Sequence, residues 1–266
     1  MVSPRNLNPS ALPSFLALAI GNSRLHFAYV AEGKLDVFWD TPHIDRAIAT
    51  LPYEMFPDRI AAKLNERMPL YIASVVPQQT HFWQHYPRSK IITLKHLPLE
   101  GIYATMGIDR ALAVYGAAKF WGLPALVIDG GTALTFTGIK EGYKLVGGAI
   151  LPGLRSQFLS LSQTTAVLPD VSLPSQFPQR WSLQTEEAIA SGIIYTMLAG
   201  VREFINSWWD DFPESWVIFT GGDGFWLKQM LPLLYPEFSQ KIAIDLDLIF
   251  KGILAVVNLY DGMKEE

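Results

Sequence analysis

The chain of 266 residues is long for one simple core and suits two packed lobes. Half of the residues are apolar and the formal net charge is −4, so no basic face is expected and nucleic-acid binding is disfavoured. The sequence contains no cysteine, which excludes disulfides, thiolate nucleophiles and cysteine-ligated metals and fits a cytosolic protein.

Residues 1–14 are rich in proline, asparagine and serine, and this composition predicts a flexible N-terminal lead-in. The apolar run that follows, Phe15–Ile20, is too short for a secretory signal. No stretch approaches the roughly 18 apolar residues of a membrane span, so we expect no membrane association.

Strand and helix patterns alternate through residues 15–106, which we interpret as an N-terminal α/β lobe. The lobe opens with a predicted hairpin of two apolar strands, Phe15–Ile20 and Leu25–Val30. The other predicted elements are a helix over Pro57–Met68, a strand over Leu70–Val76, a short helix over Thr80–Tyr86 and a strand over Lys90–Leu94.

Residues 107–266 repeat this plan and predict a C-terminal lobe that begins with a buried helix over Ile108–Phe120. Its later elements are a hairpin of Ala125–Asp129 and Leu134–Ile139, a strand from Tyr143 that ends at Gly153, a helix through Leu161, a loop over Pro169–Pro178, a helix over Glu186–Trp209, a strand over Trp216–Thr220, a helix over Phe225–Leu231, a strand over Ile242–Asp245 and a helix over Leu248–Tyr260. We expect the final helix to pack back toward the N-terminal lobe. The pattern predicts a duplicated α/β fold with mixed sheets and a cleft between two lobes.

Three glycine-containing turns follow apolar strands and suggest a nucleotide site. Gly21-Asn22-Ser23 and Asp129-Gly130-Gly131-Thr132 would each gather backbone N–H groups into a concavity that favours phosphate. Thr220-Gly221-Gly222 would let a base and a ribose lie against the backbone at the start of a helix. Each turn taken alone is equally compatible with an ordinary hairpin or strand-to-helix connection.

The order of the sequence blocks resembles the type III pantothenate kinases of the actin-like superfamily, from about Phe15 to the C-terminus. The most specific blocks are Gly107-Ile108-Asp109-Arg110, Asp129-Gly130-Gly131-Thr132-Ala133 and Gly147-Gly148-Ala149-Ile150-Leu151-Pro152-Gly153. The resemblance implies a duplicated, actin-like (ribonuclease H-like) fold in a cytoplasmic homodimer. It also implies ATP-dependent phosphorylation of pantothenate to 4'-phosphopantothenate, the first step of coenzyme A biosynthesis.

The resemblance also implies residue roles. Asp109 would accept the proton of the pantothenate alcohol, and the helix dipole and the Arg110 guanidinium favour its ionised form. Asp129 would bind a monovalent cation, K⁺ or NH₄⁺, and ATP would arrive with Mg²⁺. The implied substrate-binding residues are Tyr103, Gly107, Ile108, Asp109, Arg110 and Thr185. The implied ATP-binding residues are Ala19, Ile20, Gly21, Asn22, Ser23, Arg24, Thr132, Gly221 and Gly222.

Without the family resemblance, each of these residues could equally have a purely structural role. Asp109 could be a helix cap with an exposed ion pair, and Thr185 could be an N-cap. Thr132 could be an ordinary turn residue, and Tyr103 could serve surface packing.

Two departures from the family pattern bear on the reaction. The first phosphate loop normally reads Asp-x-Gly-Asn-Thr, and this chain has Ala19 and Ser23 at its first and last positions. Either Mg²⁺ travels on ATP with few protein ligands or activity is reduced. The loop that carries Tyr103 is also shorter than usual. A nucleotide-sensing regulatory protein on the same scaffold is one alternative, and another small-molecule kinase or phosphohydrolase of the actin-like group is a second.

Overall fold

The structure is a computed structural model that describes residues 13–239 and 242–261. The predicted lead-in therefore lies outside the described residues, apart from residues 13 and 14. The chain divides into two compact units, Met1–Phe120 with Leu248–Glu266, and Trp121–Asp247. This division differs from the predicted boundary at residue 107, because the helix over Ile108–Phe120 belongs to the first unit.

The first unit contains a five-stranded mixed sheet in the order β3-β2-β1-β4-β5. Its strands are β1 (Phe15–Ile20), β2 (Leu25–Ala31), β3 (Lys34–Thr41), β4 (Leu70–Ser74) and β5 (Ser89–Ile91). β1 pairs with β2 antiparallel and with β4 parallel, and all six of its residues are buried. The sequence patterns predicted four of these strands and missed β3, in which exposed residues alternate with half-buried or buried ones.

The helices of the first unit are α1 (Asp58–Ala61), α2 (Pro77–Trp83), α3 (Ile108–Phe120) and α7 (Leu248–Asp261). The predicted helix over Pro57–Met68 was wrong beyond its first turn. Asn65 Oδ1 accepts a hydrogen bond from Arg67 N–H at 2.9 Å, and such a side-chain contact competes with helix formation.

Helices α3 and α7 pack closely against each other within the first unit. A Cβ atom added at Gly116 would lie 2.9 Å from Gly252 N, so the two backbones leave no room for side chains at this crossing. The closeness of this contact explains why α3 joins α7 in the same compact unit.

The second unit contains a five-stranded mixed sheet in the order β10-β9-β6-β7-β8. Its strands are β6 (Ala125–Gly130), β7 (Ala133–Lys140), β8 (Lys144–Pro152), β9 (Trp216–Thr220) and β10 (Ile242–Ile244). β6 pairs with β7 antiparallel and with β9 parallel. Each sheet therefore has a central strand that turns back into a hairpin on one side and pairs with a parallel strand on the other. The duplicated α/β plan is confirmed.

The helices of the second unit are α4 (Leu154–Thr164), α5 (Thr185–Asp211) and α6 (Gly224–Leu234). In the part of the chain that the structure describes, α5 is the one helix whose length and composition would suit a membrane span. Its apolar residues do not form one unbroken run, because polar residues interrupt them. The apolar residues of α5 that are buried, from Ile189 to Trp208, belong to the core of the second unit, as in the central helix of a globular domain.

Candidate functional site

The turn between β1 and β2, Gly21–Arg24, is the first predicted phosphate loop. Gly21 N–H donates to Arg24 O at 3.1 Å, which closes the turn, and the side chains from Asn22 to Arg24 are exposed. Ile20 O accepts from Val75 N–H at 3.1 Å, so the base of the turn is tied to the end of β4. Exposed backbone donors at the end of a buried strand are what a phosphate-binding turn requires.

Ala19 lies in the buried part of β1, with 2% of its surface exposed. Its cross-strand neighbours are His26 on β2 and Ala73 on β4. A carboxylate is therefore absent from the strand end at which the family pattern has aspartate.

The start of α3 brings together three of the residues predicted to bind substrate. Arg110 N–H donates to Asp109 Oδ1 at 2.8 Å, and Arg110 Nη1 donates to Tyr103 OH at 2.9 Å. Arg110 is buried, with 8% of its surface exposed, whereas Asp109 is half-buried and Tyr103 is exposed. The arrangement gathers a carboxylate, a guanidinium and a phenol around the first turn of one helix.

The Asp109 carboxylate also lies at the same sheet edge as the first phosphate loop. A Cβ atom at Gly107 would overlap Asp109 Oδ1 and would lie 3.9 Å from Val75 Cγ1. Val75 in turn donates its N–H to Ile20 at the end of β1. Gly107, two residues before Asp109, and Ile20 at the base of the Gly21–Arg24 turn thus both lie beside Val75, which follows the carboxyl end of β4.

In the second unit, Asp129 and the turn after Thr220 meet at the carboxyl ends of β6 and β9. Asp129 and Thr220 are register partners in these parallel strands. Gly221 has a φ of +78°, and a Cβ atom there would overlap Asp129 Oδ1 and lie 2.6 Å from Gly130 O. The close approach requires glycine at position 221.

Thr132 lies in the two-residue turn between β6 and β7, the second predicted phosphate loop. Its carbonyl oxygen accepts two hydrogen bonds, from Gly153 N–H at 2.9 Å and from Ser156 Oγ at 2.7 Å. A Cβ atom at Gly153 would overlap Gly131 O, so the start of α4 is pressed against this turn. The Gly-Gly-x-Ile-x-Pro-Gly block therefore ends in direct contact with the predicted phosphate loop.

Asp223 is a residue that the sequence analysis did not single out. Its N–H donates to Gly130 O at 2.8 Å, and this bond joins the turn between β9 and α6 to the second phosphate loop. Burial raises the pKa of the Asp223 carboxyl above its ordinary value, and the Arg155 guanidinium, 3.9 Å away, opposes the shift. Its place in Gly221-Gly222-Asp223-Gly224 was the only signal in the sequence.

Thr185 is the first residue of α5 and is exposed. Its interpretation as an N-cap was wrong, because Gln184 occupies the cap position and makes no side-chain capping hydrogen bond. Thr185 is therefore not the residue that caps the start of the helix.

Possible metal ligands include the acidic and histidine side chains. Within residues 13–239 and 242–261, no group of three or more His, Asp or Glu side chains could hold a metal ion. Asp129, beside Gly130 O, supplies hard oxygen ligands of the kind that alkali cations prefer, whereas the apolar Ala19 supplies none.

The sequence profile of the type III pantothenate kinases matches residues 15–207. A type III pantothenate kinase from a Nostoc species is 44% identical over 262 residues, covering 91% of this chain and 94% of the relative. A type III pantothenate kinase from a Synechocystis species is 43% identical over 244 residues, covering 91% of this chain and 90% of the relative.

Two solved structures are similar in fold. A candidate Baf family transcriptional activator from Campylobacter jejuni has a TM-score of 0.59 at 21% identity and covers 93% of this chain and 100% of that chain. A candidate 2-dehydro-3-deoxygalactonokinase from Sinorhizobium meliloti has a TM-score of 0.54 at 14% identity and covers 92% of this chain and 96% of that chain. At these sequence identities the structural similarity supports only the assignment of the actin-like kinase fold. The family profile and the relatives go further: the chain belongs to the type III pantothenate kinase family.

Proposed function

We propose how individual residues serve this pantothenate kinase, which phosphorylates pantothenate with ATP to give 4'-phosphopantothenate in the first step of coenzyme A biosynthesis. The observation that carries the assignment is the cluster of Asp109, Arg110 and Tyr103 at the start of α3. Phosphoryl transfer depends mainly on positioning and on neutralising charge, so the residues that matter are a proton acceptor, cations and backbone donors.

Asp109 accepts the proton of the pantothenate alcohol. At the same time the alcohol oxygen forms a bond to the γ-phosphorus of ATP, and the bond between that phosphorus and ADP breaks. The half-buried Asp109 carboxylate at a helix start supports this role, because the dipole there favours negative charge. Only Oδ1 is engaged by Arg110 N–H, at 2.8 Å, and each carboxylate oxygen can accept more than one hydrogen bond. The same carboxylate can therefore accept the Arg110 N–H and still receive a proton.

Pantothenate is bound by the residues around Asp109 and by Thr185. The Arg110 guanidinium has several N–H donors that suit an anionic substrate. Its hydrogen bond to the Tyr103 hydroxyl fixes the two side chains relative to each other. Gly107 and Ile108 line the substrate with backbone and an apolar side chain. The exposed Thr185 hydroxyl, which caps no helix, is available to the substrate.

ATP is bound by glycine turns in each unit. In the first unit, Ala19, Ile20 and Gly21 form the base of the phosphate loop, and the exposed segment from Asn22 to Arg24 contacts the phosphates through backbone N–H groups and the Ser23 hydroxyl. In the second unit, Thr132 contacts phosphate, and Gly221 and Gly222 lie against the adenosine. The exposed backbone of the first turn and the absence of side chains at Gly221 and Gly222 support these assignments.

Two kinds of cation serve the reaction. As a kinase, the enzyme uses a divalent ion with ATP, and we assign this ion as Mg²⁺ held mainly by phosphate oxygens and water. Asp129 and the carbonyl oxygen of Gly130 fit a monovalent cation, K⁺ or NH₄⁺. Such cations would place positive charge next to the phosphates and would neutralise part of the negative charge of the phosphate groups.

We also assign the protein to the cytoplasm and to a homodimer. Exposed apolar side chains support the dimer, since Val167, Trp181 and Leu183 are almost fully exposed and precede Thr185 in the chain. Large apolar side chains, tryptophan above all, are common in the interfaces between subunits. Light scattering should give twice the 29.7 kDa mass of the chain, and a monomer at all concentrations would contradict the assignment.

A coupled assay of ADP release tests the activity directly. Pantothenate should support turnover that depends on ATP and a divalent ion, whereas other primary alcohols of similar size should support much less. Thermal stabilisation by ATP serves as the control for folding and nucleotide binding. ATP stabilisation without ADP release in the presence of pantothenate would contradict the kinase function.

A further inference from the structure

A short segment after β3 is held by hydrogen bonds to helix α2. Gln79 of α2 is buried, with 4% of its surface exposed, and its amide contacts the backbone of Ile44 twice. Gln79 Oε1 accepts from Ile44 N–H at 3.2 Å, and Gln79 Nε2 donates to Ile44 O at 2.7 Å. A buried amide is costly unless it is hydrogen-bonded, so this two-way contact holds the segment at Ile44 in place.

His43, the residue before Ile44, reaches the first phosphate loop. Its side chain is half-buried, and its Nε2 lies 2.9 Å from Gly21 O. Because a carbonyl oxygen only accepts, Nε2 carries the proton in this contact. The peptide between Gly21 and Asn22 is trans and planar, so a Gly21 carbonyl that points to His43 directs the Asn22 N–H the opposite way.

We propose that His43, held by Gln79, is a positioning residue that orients the Asn22 N–H toward the phosphates of ATP. This inference rests on the proposed assignment of the first turn to ATP. The contact matters because the turn is exposed from Asn22 onward. If the turn were not already fixed, ordering it on ATP binding would cost conformational entropy and would lower the affinity for ATP.

The neighbouring imidazole of His26 does not share this role. Its Nδ1 lies 2.7 Å from Asp40 Oδ1 on the paired strand β3, where the two residues are register partners. His43 is thus the imidazole that contacts the Gly21 carbonyl.

The test compares the KM for ATP among variants at two positions. His43→Leu should raise the KM for ATP about three- to tenfold, because one hydrogen bond to the turn is lost, and should change kcat and the KM for pantothenate less than about twofold. His43→Gln, whose Nε2 lies at a similar distance from Cα, should restore most of the ATP affinity. Gln79→Leu should also raise the KM for ATP, and the double variant should be no worse than the larger single effect.

Two controls separate the possible outcomes. His85→Leu removes another histidine contact to a backbone carbonyl, His81 O, and should leave the KM for ATP unchanged. A lower Tm for His43→Leu without a higher KM for ATP would overturn the positioning role.

Ser23→Ala tests the turn assignment separately. If this variant raises the KM for ATP and His43→Leu does not, the turn assignment stands and the His43 inference fails. If neither variant changes the KM for ATP, the assignment of the first turn fails, and the inference fails with it.

Discussion

Replacing Gly221 with alanine should destabilise the second unit and weaken ATP binding together. The backbone at Gly221 has a φ of +78°, a conformation that costs an L-residue about 1–2 kcal/mol. The added Cβ would overlap Asp129 Oδ1 and lie 2.6 Å from Gly130 O and 2.9 Å from Gly130 C. The turn after β9 must therefore move away from the end of β6, at a further cost of about 1–3 kcal/mol.

The combined loss of unfolding free energy, about 2–5 kcal/mol, corresponds to a fall in Tm of about 5–15 °C in calorimetry. Because the displaced turn is the proposed adenosine contact, the KM for ATP should rise about tenfold or more in steady-state assays.

Gly222→Ala is the matched control for this prediction. A Cβ atom at Gly222 has no atom within 4 Å, and the side-chain position is exposed, so the unfolding free energy should change by less than about 0.5 kcal/mol. Equal Tm values for the two variants would refute the close approach of Gly221 to Asp129. A lower Tm for Gly221→Ala with an unchanged KM for ATP would refute the adenosine assignment.

Three further predictions concern carboxylates. Asp109→Asn should lower kcat about 10²–10⁴-fold while leaving ATP binding and Tm near wild type, since Asn Oδ1 can still accept from Arg110 N–H; equal loss of turnover and ATP binding, or of neither, would contradict the role. Ala19→Asp should leave the fold intact and sharpen the dependence on Mg²⁺, and an unchanged metal titration would defeat this expectation. Asp223→Asn should raise Tm at pH 7. The folded-state pKa of Asp223 is raised by burial, so wild-type stability falls as pH rises from the ordinary carboxyl value of about 4 through that pKa. The gain should shrink toward pH 4, and an equal gain at both pH values would point to another cause.

Several elements could be predicted from sequence with nearly correct ends. Strand β1, helix α3 and strand β9 match their predicted ranges. Strands β1 and β9 are short apolar runs and α3 has apolar residues at helical spacing, and these patterns depend on near neighbours in the chain. The helix expected over Pro57–Met68 ends at Ala61, and beyond it the Asn65 side chain accepts a hydrogen bond from the local backbone, a contact that competes with helix formation.

The candidate site was predicted in part. The glycine turns and the block around Asp109 were recognised because their residue types are characteristic of turns, helix starts and the family pattern. Asp223 and His43 were not, since each acts through one contact with a distant turn: Asp223 N–H with Gly130 O, and His43 Nε2 with Gly21 O. A contact of this kind leaves no periodic or compositional pattern.

The amino-acid order alone determined where strands end in glycine turns, which helix starts with a carboxylate, and which family the blocks resemble. Tertiary structure decided which of these pieces touch. Gly221 lies against Asp129 only because β6 and β9 pair in register, and Gly107 meets Val75 only because α3 lies at the end of β4. The physical reason is range: backbone preference and hydrophobic periodicity act over a few residues, whereas these contacts join residues tens of positions apart and depend on how sheets and helices pack.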